Sequence, residues 1–287
     1  MTEYNVEKTY VRELNVINPS PDALTTVCIT HDIIEVKVYE YSRPSHISRF
    51  RKISKEKYVD TETGEIVHFQ SHPGRGGDGS SSRRNWNKAF ERLRQLINNN
   101  FVGNANELHI ILTYGSSYHM TDRSIASKDF KNFWKRLKYH YSSMDYIVMY
   151  EPDHRGIWHI HILVKKNDTD RLFIDNNILQ EIWGKGFTKI KRTSGNDNIG
   201  AYFTVLLGSH NRNKKTSRIQ YYEKHKKLYT KSRGILQPSH LYMTYEEAQE
   251  FLQGHKIVFQ KGYSIIQGSD DREINRFYNI QYNDRKN

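Results

Sequence analysis

The chain is poor in cysteine and in continuous apolar sequence. Cys28 stands alone among 287 residues, which excludes an internal disulfide framework and any zinc site built from several cysteines. No stretch approaches the ~18 apolar residues that a membrane span requires. The opening MTEYNVEKTYVRELNV mixes charges throughout and lacks the apolar segment of a signal peptide, so a secretory leader is not expected. No G-x-x-x-x-G-K-[ST] occurs: GSHNRNKKT comes nearest and lacks the second glycine, which excludes a P-loop helicase within the chain. There is no internal repeat and no heptad array. A reducing, cytoplasmic setting without a membrane fits these absences best.

What the chain has in plenty is positive charge and aromatic rings. Lys and Arg number 44 against 32 Asp and Glu, a net charge of +12. The mean hydropathy of −0.81 marks a polar protein, yet 13% aromatic residues can build cores and argue against disorder. The basic balance favours a polyanionic partner, most often nucleic acid. A solvated positive surface, or a coding bias toward Lys, Asn, Ile and Tyr, would explain it more plainly.

Periodicity organises the chain. IIEVKVYEYS, residues 33 to 42, alternates like a half-buried strand. QSHPGRGGDGSSS, 70 to 82, collects four Gly and four Ser and reads as a flexible loop or linker. Trp86, Ala89, Phe90, Leu93, Leu96 and Ile97 fall at helical spacing, as do Phe130, Phe133, Trp134, Leu137 and Tyr141. LHIILTYG reads as a buried strand, and YIVMYEPDHRGIWHIHILVKK as two strands around a turn, the strongest hairpin signal in the chain. NNILQEIWGKG suggests a short helix stopped by Gly184 or Gly186, and FTKIK another strand. Asn196 or Asp197 can cap a helix through IGAYFTVLLG, with Gly208 as its stop, and TYEEAQEFLQ is a further helix. Strands and helices interleaved around an antiparallel hairpin make an α+β protein. The expected division is an N-terminal strand and basic, Gly/Ser-rich region over 1–82, a core over 83–240, and a C-terminal extension over 241–287 without an assigned role. Residues 1–30 give only weak signals.

The chemistry gathers at the hairpin. His159-Ile160-His161 lies mid-strand, where a period of two puts both imidazoles on one face. Two imidazoles and one anionic ligand can hold a divalent ion and leave positions open for a phosphate oxygen. Alone the triplet says little, since this composition supplies about 0.25 such matches by chance. Glu151 ends the preceding strand. A five-residue loop, Pro152–Gly156, pairs it with Ile157 and sets it on the face of both histidines; a four-residue loop would turn it away. Its plainer role is a surface carboxylate or a partner for Arg155. Tyr202 flanks the apolar stripe of Ile199, Phe203 and Leu206 on the later helix. A tyrosine oxygen can attack a phosphodiester whose charge is polarised by a metal, although an aromatic at a core boundary is the commoner case.

A His-apolar-His strand, a Glu across the turn and a Tyr on a later helix resemble the HUH endonucleases, and among them the rolling-circle replication initiators of plasmids and phages. IIEVKVYEYSRP, SRRNWNKAFERLRQLINNNF, ELHIILTYG, FKNFWKRLKY, YEPDHRGIWHIHILV, IWGKGFTKIKR, IGAYFTV and KLYTKSRGILQP resemble successive blocks of such proteins, in family order, over roughly residues 33–240. The resemblance implies a ferredoxin-like or RRM-like antiparallel sheet of about five strands flanked by helices. It implies a metal, Mg²⁺ or Mn²⁺, on Glu151, His159 and His161, and Tyr202 as nucleophile in nicking single-stranded origin DNA. Tyr202 would become joined to the 5′ phosphate and free a 3′ hydroxyl as primer. The implied partners are single-stranded and hairpin origin DNA, a host helicase and polymerase, and a second copy of the chain. The phosphate-contacting residues suggested by the basic stretches are Arg83, Arg84, Lys88, Arg92, Lys214 and Lys215, with Trp158 as a stacking partner. Many relatives carry a lysine three residues after the tyrosine, where this chain has Val205, and no second tyrosine follows on that helix. The alternatives are a single-tyrosine transposase, a mobilisation nuclease, or an origin-binding protein without turnover.

Overall fold

A computed structural model of the chain describes residues 9–41, 50–52, 57–60, 66–68, 79–207, 218–223, 226–267 and 272–285, with side chains left undescribed at 9, 50–52, 57–60, 67–68, 79–85, 219–220, 267, 272 and 274. The fold is α+β and divides into two compact units. One comprises residues 79–239 with Thr30–Asp32; the other takes the remainder of the chain from both sides.

The 79–239 unit is built on a five-stranded sheet: β7 (Glu107–Leu112), β8 (Met144–Pro152), β9 (Trp158–Lys166), β10 (Thr188–Lys191) and β11 (Tyr229–Lys231), in the order β10-β7-β9-β8-β11. All four pairings are antiparallel: Lys191 lies opposite His109, Ile111 opposite His161, Met149 opposite His161, and Tyr229 opposite Met149. Cross-strand partners share a face, so in this sheet the odd-numbered residues all point one way and the even-numbered ones the other. The even face is apolar: Leu108, Ile110, Leu112, Val148, Tyr150, Ile160, Ile162 and Val164 are all buried.

Helix α2 (Arg123–His140) covers that face with Phe130, Phe133, Trp134 and Leu137, the stripe read from the sequence. Asp122 caps it, accepting from the amides of Ser124 and Ile125. Helix α3 (Asn176–Trp183) adds Trp183, whose ring meets Phe133 at 5.9 Å and whose Nε1 donates to the Thr113 carbonyl at 2.7 Å. Gly184 closes α3 in the left-handed conformation. Helices α1 (Gly79–Asn98) and α4 (Ile199–Leu206) pack on each other. Gly200 makes this possible: a Cβ there would lie 2.4 Å from the Arg94 carbonyl oxygen, and the Gly200 amide donates to Asn98 Oδ1 at 2.7 Å.

Two local expectations need correction. The Gly/Ser-rich stretch is not wholly a linker, because α1 begins at Gly79. Serines are well tolerated in a first turn, where the amides have no intrahelical acceptor. The cap of α4 is Asn198, not Asn196 or Asp197; its side chain accepts from the Ala201 amide at 2.8 Å. Gly208 lies outside the described residues.

The second unit contains a six-stranded sheet in the order β1-β13-β14-β3-β2-β12. Its strands are β1 (Thr9–Leu14), β2 (Leu24–Ile29), β3 (Ile33–Tyr39), β12 (Ser239–Thr244), β13 (Ile257–Gln267) and β14 (Arg272–Asn283). Val27, Val36, Val38, Tyr278 and Ile280 form its core with Ala248 and Leu252. Helix α5 (Tyr245–Phe251) begins with a reciprocal capping box between Thr244 and Glu247. A three-stranded sheet of β4 (Phe50–Lys52), β5 (Lys57–Asp60) and β6 (Ile66–His68) completes the strands. No helix of the described residues is long and apolar enough to cross a membrane.

Candidate active site

The hairpin closes by a five-residue loop, Asp153–Ile157, one residue later than the sequence suggests. The Asp153 amide donates to the Ile157 carbonyl, and Asp153 Oδ1 accepts from the Arg155 and Ile157 amides at 2.8 and 2.9 Å. Burial opposes ionisation of Asp153, but these hydrogen bonds and the Arg155 guanidinium prevail and hold its carboxyl below the usual range. Gly156 turns the chain at φ +83°, and a Cβ there would meet the Tyr221 ring at 2.8 Å. Because the loop moves by one residue at both ends, facing parity is preserved. Glu151 therefore pairs directly with His159, and His161 follows on the same face.

The odd face of the sheet sets polar residues among buried apolar ones, Ile147, Met149 and Leu163. Glu107, His109, Asp145, Glu151, His159, His161 and Lys165 all belong to it. At its middle, His161 Nε2 lies 2.6 Å from Glu151 Oε2, and His161 Nδ1 lies 3.0 Å from His109 Nε2. The two imidazoles stack with centroids 5.3 Å apart, and the edge of Phe203 from α4 meets His109 at 4.7 Å. Glu151 Oε1 forms an ion pair with Arg218, which opens a short turn at Arg218–Tyr221. The same Arg218 Nη1 donates to the carbonyl of Leu206, the last residue of α4, at 3.2 Å.

Burial keeps these histidines neutral. It lowers His109 to about 2, helped by His161 and Lys191, and lowers His161 to about 4, with Lys191 adding to the effect. His159, half-buried, is lowered by burial first and by His161 second. Neutral imidazoles present lone pairs, as metal ligands must. His161 Nε2 is buried and has no hydrogen-bond partner of good geometry although a carboxylate oxygen stands beside it. An orphaned nitrogen facing an anionic oxygen fits, in kind, a divalent cation between hard and borderline donors. Among the described residues, however, no three His, Cys, Asp or Glu side chains stand ready to hold a metal ion. Arg218 already occupies one oxygen of the nearest carboxylate.

Tyr202 lies on α4 and is 41% exposed, its ring 5.3 Å from that of Phe203, the residue that touches both imidazoles. Val205 is exposed and supplies no charge. Of the suggested phosphate contacts, Lys88 and Arg92 are exposed on α1, the side chains of Arg83 and Arg84 are not described, and Lys214 and Lys215 lie outside the described residues. Trp158 requires correction: it is 2% exposed, donates from Nε1 to the Thr121 carbonyl and packs edge-on against Tyr222, so it offers no face to a base. Its even number puts it on the apolar side.

Four residues that sequence reading passed over belong to the odd face or its border. His109 and Lys191 were concealed by unknown strand pairing, since only the β7–β9 and β7–β10 registers bring them to His161. Arg218 sat within a basic run that had no feature to single it out. Phe187, 74% exposed just before β10, continues the alternation of Lys189 and Lys191, and its carbonyl accepts from the Thr113 amide.

Residues 107–208 match a family model of replication-associated proteins of the ORF2 kind, a match that supports a role in replication initiation. The matched segment runs from β7 to the end of α4 and contains His109, Glu151, His159, His161 and Tyr202. No curated protein and no solved structure matches the chain.

Proposed function

We propose that this protein is a replication initiator of the HUH endonuclease type, which nicks and rejoins single-stranded origin DNA with Tyr202 as nucleophile. One observation carries the reading. Glu151, His159 and His161 share one sheet face, and the exposed Tyr202 stands next to Phe203, whose ring meets those of His161 and its neighbour His109, all inside the segment that resembles replication-associated proteins. The Tyr202 oxygen attacks the scissile phosphorus, the bond from phosphorus to the 3′ oxygen breaks, and that oxygen leaves as a hydroxyl after taking a proton. The 5′ phosphate stays joined to Tyr202 until a hydroxyl reverses the transfer. Glu151, His159 and His161 would hold Mg²⁺ or Mn²⁺, which supplies Lewis acidity to the phosphate.

Phe187, Lys189 and Lys191 offer a strand of DNA one stacking ring and two phosphate partners beside the site. Unwinding falls to a host helicase or to a hairpin origin, and extension to a host polymerase. With a single tyrosine on α4, the closing step needs a nucleophile from a second copy or from elsewhere in the chain. The exposed Val205 favours a second reading, an origin-binding protein without turnover.

The test is covalent capture. Full-length protein is incubated with single-stranded oligonucleotides drawn from the DNA flanking its gene, with Mn²⁺ or with EDTA, beside Tyr202→Phe. A metal-dependent, denaturant-resistant adduct that Tyr202→Phe lacks is the expected result, a loss of at least a hundredfold. An adduct that persists in Tyr202→Phe rejects the nucleophile, and binding without any adduct selects the second reading.

A further inference from the structure

The Glu151 carboxylate is 8% exposed, and both its oxygens are engaged: Oε2 beside His161 Nε2 at 2.6 Å, Oε1 with Arg218. A buried carboxylate that stays ionised needs a positive partner or hydrogen-bond donors beside it. In this structure that partner is a guanidinium. Arg218 is well placed to leave. Its side chain is 34% exposed, it opens a four-residue turn, and its contacts to Glu151 and to the Leu206 carbonyl are both made by Nη1. A guanidinium carries further N–H donors in a planar fork of the shape that binds phosphate. Leu206 is four residues beyond Tyr202 on the same helix, so the guanidinium links the tyrosine's helix to the carboxylate of the candidate metal site.

We propose that Arg218 gates the site: it occupies Glu151 while no DNA is bound, and passes to the phosphodiester when a strand arrives, releasing the carboxylate to a divalent cation. This rests on the nuclease reading above. It starts from a site in which one Glu151 oxygen is held by Arg218 and the other stands beside the His161 nitrogen. It also makes cation and DNA binding reciprocal, each tightening the other by the same factor. In the sequence Arg218 is outside the 107–208 segment of the family match.

The experiment measures Mn²⁺ binding to full-length protein by calorimetry, with and without a single-stranded oligonucleotide, for the wild type, Arg218→Ala and Arg218→Gln. Thermal unfolding of each, with and without Mn²⁺, checks the fold, and Arg218→Gln stands in if the alanine variant does not fold. The gate predicts that Arg218→Ala without DNA binds Mn²⁺ about tenfold more tightly than the wild type, toward the lower end of the usual coupling range. Its unfolding temperature should rise more with Mn²⁺, and DNA should no longer tighten the metal. Adduct formation should slow, since the phosphate loses a partner. A merely structural arginine would weaken Mn²⁺ binding and activity together. Unchanged or weaker Mn²⁺ binding in a folded variant, while the wild type still forms its metal-dependent adduct, overturns the gate and leaves the nuclease reading standing. A wild type that forms no adduct and binds no Mn²⁺ with DNA present overturns both.

Discussion

The two faces of the five-stranded sheet obey different rules. Beneath the even face, Phe133, Leu137 and Trp183 share an apolar core with Ile160, Ile162 and Val164. On the odd face, only one residue away along each strand, the sheet buries His109, His161 and Glu151 and balances them with Arg218. Burying an apolar side chain is favourable wherever it happens, whereas burying an imidazole or a carboxylate costs free energy unless its partners are in place. The even face therefore supplies stability, and the odd face spends some of it on a fixed constellation. Separating these two contributions is what mutation should be able to do.

The largest effect is expected beneath the even face. Phe133→Ala removes a fully buried ring from between α2 and Trp183 and should cost about 3–5 kcal/mol in denaturant unfolding. Adduct formation per folded molecule should stay unchanged; a parallel loss of activity would show that the faces are not independent. On the odd face, His109→Leu takes its partner from His161 Nδ1 and should cost about 1–3 kcal/mol. Adding His161→Leu removes the orphan and should recover most of that loss while abolishing metal binding. If the double variant is the less stable one, the polar pair is a net source of stability and the contrast fails.

The smallest effect is one of pH. The unfolded chain takes up a proton on His161 near 6.5, but burial and Lys191 delay that step in the native protein to about 4. The unfolded state thus binds more protons in this window, and stability must fall as the pH drops from about 6.5 toward 4. In EDTA, the wild type should show this slope more steeply than the double leucine variant; equal slopes would place the titrating groups elsewhere.

Much of the odd face was legible because it depends on parity. The distance from Glu151 to His159 fixes which way they point for any odd-length loop, so the loop could move by one residue at each end without disturbing the site. Tyr202 was legible as a flank of a helical stripe. The remainder depends on pairings between segments far apart in sequence. Nothing within LHIIL announces that His109 will stand against His161, and nothing near Arg218 announces Glu151. Trp158 was misjudged for the complementary reason: an aromatic next to a histidine on a strand necessarily faces the other way, and here that way is the core. Of the six-stranded sheet only β3 was legible, in the alternation of IIEVKVY. Its strands at 9–14 and 24–29 are short and of mixed polarity, and β13 and β14 carry too many polar residues, such as Gln260, Lys261, Asn275 and Asn279, to declare a buried face on their own.

That sheet also bears on how the chain comes into being. In the order β1-β13-β14-β3, the hairpin of residues 257–283 is inserted between two strands from the first forty residues, which do not pair with each other. As synthesis proceeds from the N-terminus, residues 79–239 can find their own partners as soon as they emerge, while β1 waits with an open hydrogen-bonding edge for the last strands to be made. A ribosome that stalls or terminates before residue 257 would therefore release a chain whose five-stranded sheet is complete and whose six-stranded one lacks its middle. Such a product would carry unpaired strand edges, a ready template for pairing with other chains.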